Sequence, residues 1–122
     1  MVPGSRIKNY AFQFNKLTEV TLPKSLKKLG YGVFMSNNLT KINFNNELEE
    51  IDQICFYGND LKQIVIPASV KKIMRAAFRK INLTDITFAD GSNLELIDTL
   101  ALADNPLKTI KLPEGLGEFA CQ

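Results

Sequence analysis

The sequence predicts a β-rich solenoid, a right-handed superhelix of roughly 22-residue repeats with short parallel strands and little regular helix. Three observations lead there. Five segments share the form Leu-x-x-(Ile/Val)-x-(Leu/Ile/Phe), with opening leucines at 17, 39, 61, 83 and 107, so the spacing is 22 three times and then 24. A second apolar pair keeps the same time, at Leu26/Leu29, Leu48/Ile51, Val70/Ile73, Leu94/Ile97 and Leu116/Phe119. A third column holds Phe12, Phe34, Phe56, Phe78 and then Leu102, each preceded by a smaller residue: Ala11, Val33, Cys55, Ala77, Ala101.

Each element follows from these columns. In Leu17-Thr18-Glu19-Val20-Thr21-Leu22 the alternation of apolar with polar residues has period two, the signature of a strand with one face inward. Stacked at about 4.8 Å, five such strands make one parallel ladder roughly 20 Å long. The phenylalanine column lies across the core from it, and the small residues beside the rings leave space for them. A fourth column, Asn15, Asn37, Asn59 and Asn105, is broken by Ile81. Between the second-register anchors stand Lys27-Lys28, Glu49-Glu50, Lys71-Lys72 and Glu95-Leu96. Opposite charges on adjacent turns favour one register by about 0.2–1 kcal/mol per pair.

These residues resemble the leucine-rich repeats of the BspA-like, or treponemal, class, whose signature is close to L-x-x-I-x-I-P-x-S-V-x-x-I-x-x-x-A-F. Ile64-Val-Ile66-Pro67-Ala-Ser69-Val70-Lys-Lys-Ile73-Met-Arg-Ala-Ala77-Phe78 follows it closely. The resemblance covers residues 7 to 119. Asn45 and Ala89 replace the proline of Pro23, Pro67 and Pro113, and Ala89–Asn93 is a loop two residues longer than its counterparts. Residues 1–6 are read as an N-terminal segment, the first five of native or cloning origin. Residues 7–122 are read as a leucine-rich repeat array of about five repeats, incomplete at both ends. Neither end shows a polar cap, which predicts end-to-end self-association or further turns in a longer parent.

Composition excludes several functions. The chain of 122 residues has no histidine, so it holds no Ser-His-Asp triad, Cys-His dyad or histidine-containing zinc site. A net charge of +2 gives no global attraction for nucleic acid or anionic membranes. The first residues lack the apolar region of a signal peptide, and no apolar run approaches the roughly 20 residues of a membrane span.

Local motifs add no chemistry. Gly30-Tyr31-Gly32 has Met35 where a nucleotide-binding loop needs its third glycine. Lys71, Lys72, Arg75, Arg79 and Lys80 concentrate positive charge, but no free aromatic residues interleave them for base stacking, and nucleic-acid binding is not expected. Asn38-Leu39-Thr40 and Asn82-Leu83-Thr84 match the N-glycosylation acceptor through the repeat consensus itself. Asp90-Gly91-Ser92-Asn93 has too few carboxylates for calcium and reads as a polar turn. Cys55 occupies the small-residue column and reads as a buried, inert thiol, whereas Cys121 lies in the tail. About 14 Å of stack separates the two, too far for a disulfide. Glu19 and Asp85 share a column three turns apart, without the cleft that paired catalytic carboxylates need.

The expectation is therefore a non-enzymatic module without cofactor or metal. The resemblance implies a protein-binding or adhesive role in a secreted or surface-exposed, microbial protein that contacts host or extracellular-matrix proteins. A structural spacer within a larger surface protein is the alternative. The candidate partner contacts lie on the strand face, the concave side in leucine-rich repeats. They are Glu19, Lys41, Gln63, Asp85 and Thr109, with Thr21, Asn43, Val65, Thr87 and Lys111 beside them.

Overall fold

A computed structural model describes residues 6–119. Its ten strands are β1 (Arg6–Ile7), β2 (Glu19–Thr21), β3 (Lys28–Leu29), β4 (Lys41–Asn43), β5 (Glu50–Ile51), β6 (Gln63–Ile66), β7 (Lys72–Ile73), β8 (Asp85–Phe88), β9 (Leu96–Ile97) and β10 (Glu118–Phe119). Every pairing is parallel, and no helix occurs among the described residues. The fold is thus a parallel β-solenoid, with six strands on one side and four on the other among the described residues.

The two sides differ from the expected arrangement. The continuous sheet is built from the second register, in the order β1-β3-β5-β7-β9-β10. On the other side β2 pairs with β4 and β6 with β8, but β4 and β6 do not pair with each other and residues 107–112 form no strand. The single five-strand ladder is therefore corrected to two separate pairs.

One column changes in step with the break. Thr40 donates both its N–H (2.9 Å) and its Oγ1 hydroxyl (3.4 Å) to the Thr18 carbonyl. Thr84 does the same to the Lys62 carbonyl, at 2.8 and 3.1 Å. At the two breaks this column holds Lys62 and Lys108, which have no side-chain hydroxyl, and no hydrogen bond joins Lys62 to Thr40 or Lys108 to Thr84. Threonine closes the ladder and lysine leaves a seam.

The core between the two sides is continuous. Phe34, Phe56 and Phe78 are buried and stacked, with ring centroids 5.5 and 5.2 Å apart. Phe12 extends the column at 5.7 Å from Phe34 but is only half-buried, contrary to the expected burial of all four rings. Among the described residues it has a stacked ring on one face only. Val33, Cys55, Ala77 and Ala101 are fully enclosed beside the rings.

The asparagine column ties the turns together. Asn59 donates to the carbonyls of Phe34 (2.9 Å) and Phe56 (2.8 Å) and accepts from the N–H of Leu39 (3.0 Å). Asn37 serves Phe12, Phe34 and Leu17 in the same way, and Asn105 serves Phe78, Leu102, Ile81 and Leu83. Asn45, in the proline column, donates to Pro23 and Leu26 and accepts from Glu47 and Leu48. Each amide satisfies backbone groups in adjacent turns that burial would otherwise leave unpaired.

Candidate protein-binding face

Strand alternation turns Glu19, Thr21, Lys41, Asn43, Gln63, Val65, Asp85 and Thr87 outward, while Ile64, Ile66 and Ile86 face the core. Register places Glu19 beside Lys41, Thr21 beside Asn43, Gln63 beside Asp85 and Val65 beside Thr87. The structure thus gathers eight of the ten expected contact residues onto two ladders. Thr109 and Lys111 are exposed but lie on the unpaired segment, so they do not continue the sheet.

The two ladders differ chemically. On the first, the Asn43 amide donates to Glu19 Oε2 (3.1 Å) and Thr21 Oγ1 (2.9 Å), and Lys41 Nζ lies 4.0 Å from Glu19 Oε2. Its polar groups satisfy one another. On the second, the Gln63 and Thr87 side chains make no hydrogen bond among the described residues, and Asp85 accepts one long bond from Thr84, at 3.4 Å. Val65 beside them is 59% exposed. An exposed apolar side chain ringed by unpaired polar groups is suited to contact with another protein.

Each seam opens a hollow. One of about 420 Å³ is lined by Thr40, Asp60, Lys62 and Gln63. The other, about 550 Å³, lies between Ile86, Thr87 and Phe88 on one wall and Lys111, Leu112 and Pro113 on the other, with the 89–92 loop beside it. The seam lysines were legible as departures from a threonine column, a signal that counting apolar repeats overlooks.

Elsewhere the chemistry is structural. Cys55 is enclosed, and burial pushes its thiol well above the ordinary value of 9.0. Cys121 lies outside the described residues. Arg79 Nε pairs with Asp104 Oδ2 at 2.7 Å, which removes one cation from the basic cluster. Glu19 and Asp85 stand on separate ladders. Among the described residues no group of three or more Cys, Asp or Glu is placed to hold a metal ion. Nor is there among them a helix long and apolar enough to cross a membrane.

A rigid stack of near-identical turns, with one polar strand face and no gathered reactive groups, defines a repeat protein of the solenoid class. A family model described as a BspA type leucine-rich repeat region matches residues 5–121 in six copies. The chain belongs to that family. None of the curated proteins or solved structures compared with it matches. Leucine-rich repeats of this family are generally non-catalytic, commonly mediate protein interactions and are often found in surface proteins.

Proposed function

We propose that the face formed by β6 and β8 is the centre of a protein-binding, adhesive surface in a secreted or surface-exposed microbial protein. What supports this reading is the contrast between the ladders. Glu19, Thr21, Lys41 and Asn43 are occupied with one another, whereas Gln63, Val65, Asp85 and Thr87 are exposed around an apolar centre. Partners of the extracellular matrix or serum fit the family's usual setting, and the role needs no cofactor.

Direct binding tests it. The chain is immobilised and exposed to a panel of extracellular-matrix and serum proteins. Binding should weaken at least about tenfold on Val65→Asp, the loss expected when an interface centre is disrupted. No binding to any protein of the panel, or binding indifferent to Val65→Asp in a folded variant, would overturn the proposal. We also propose end-to-end contact between copies through the exposed Tyr10, Phe14 and Phe119, with a mass that rises with concentration in sedimentation. A monomer at every concentration contradicts it.

A further inference from the structure

The continuous sheet carries a charge pattern that its own stacking does not use up. Registered on adjacent turns are Lys28, Glu50, Lys72 and Leu96, and one residue earlier Lys27, Glu49, Lys71 and Glu95. Positive and negative bands therefore alternate from β3 to β9, whereas at the ends of the sheet Arg6 registers with Lys28 and Glu118 with Leu96. Only Lys28 and Glu50 close an ion pair, at 2.7 Å. Among the described residues, Lys27, Glu49, Lys71, Lys72 and Glu95 have no opposite charge within ion-pair distance, although each lies at or near the surface.

We propose that this banded face pairs with a second copy of the chain. The geometry selects one arrangement. A two-fold axis lying in the interface, parallel to the strands and between β5 and β7, reverses the order of turns in the partner copy. Lys27 then faces Glu95, Glu49 faces Lys71, and the same two contacts recur by symmetry. An axis along the stack would set every band against a band of its own sign. Leu96, half-buried at its band's edge, meets the aliphatic stem of Lys28 in the favoured arrangement.

Four bands span only about 15 Å of stack, well short of the face that a stable dimer buries. The pair is therefore weak, and salt screens it.

Sedimentation equilibrium of the whole chain provides the test, at about 0.02 M and about 0.5 M salt, where screening differs severalfold in range. The expected result is a dimer at low salt that dissociates at high salt. Lys71→Glu and Glu49→Lys each place like charges face to face, and each alone should weaken the dimer about tenfold or more. Mixed in equal amounts, they should restore it, because every facing pair in the mixed dimer is again opposite. A change in folding alone is not repaired by mixing, and circular dichroism reports whether each variant is folded. Should either fail to fold, Lys27→Glu and Glu95→Lys make the same test at the outer bands. A monomer at low salt up to millimolar concentration overturns the proposal. So does association equally strong at both salt concentrations, which end-on apolar contact alone would give, or a mixture no stronger than its components.

Discussion

Phe56 has a ring stacked on each face and the edge of Phe44 against it, at a centroid distance of 6.1 Å. Phe56→Ala should therefore cost about 3–5 kcal/mol in denaturant unfolding, and Phe12→Ala no more than about half as much, since Phe12 is half-buried already. Equal losses would contradict the spine. Cys55 provides a pH test. Its thiol is held protonated in the fold, whereas the unfolded thiol ionises near its ordinary value of 9.0. Above that pH the unfolded state binds fewer protons than the folded one. Stability is then lost as pH rises, by up to about 1.4 kcal/mol per unit from this group. Cys55→Ala should show a shallower alkaline decline, and native Cys55 should react with thiol reagents only on unfolding. Burial of this thiol was legible from the alanines that share its column. The left-handed backbone at Ile54, Ala76 and Leu100 (φ 48°, 57° and 61°) was not. Those side chains carry no sign of it, and only Gly32, in the same column, hints at the conformation.

At the scale of elements, position was legible and pairing was not. The apolar alternation located β2, β4, β6 and β8, but whether neighbours join goes with the residue just before each strand, threonine where they pair and lysine where they do not. Lys62→Thr supplies the missing hydroxyl, should connect β4 to β6, and should raise stability by about 0.5–1.5 kcal/mol. Unchanged stability, with unchanged amide exchange at Lys41–Asn43, would show that the column does not control pairing. The asparagine column was visible in sequence as a period but not as a function, because its bonds run to backbone groups that no side-chain pattern exposes. Asn59→Ala strands the buried Leu39 N–H and the Phe56 carbonyl, while the Phe34 carbonyl keeps its bond from Asn37. It should cost about 2–4 kcal/mol, more than the same change at exposed Asn38. Comparable losses at the two sites would refute the tie.

Across the whole molecule, protection from solvent is uneven. From Leu22 to Leu102 the apolar anchors of successive turns are mostly enclosed, whereas Leu107, Ile110, Leu112 and Leu116 are half-exposed. No backbone bond ties residues 107–112 to β8. Their amides should exchange at least about a hundredfold faster than those of Ile64 and Ile73, an opening free energy lower by roughly 3 kcal/mol. Uniform exchange along the chain would mean that the last turn is held by packing alone. The overall solenoid was legible because one period governs nearly every residue. The quality of the binding face was not, since it depends on which polar groups already satisfy one another.

The seams and the charge bands have one consequence for how such an array can grow. Strand pairs close at Thr40 and Thr84 and open at Lys62 and Lys108, and from β3 to β9 the bands change sign at each turn. By apolar spacing the unit is one turn of 22 residues, but by pairing and charge it is two. A tandem copy of residues 39–60 would set a glutamate pair beside a glutamate pair and invert every later band relative to the first turns. A copy of residues 39–82 would leave both rhythms intact. Lengthening by even numbers of turns is thus the step that preserves the molecule's surface order, and a chain extended by one turn should melt below one extended by two.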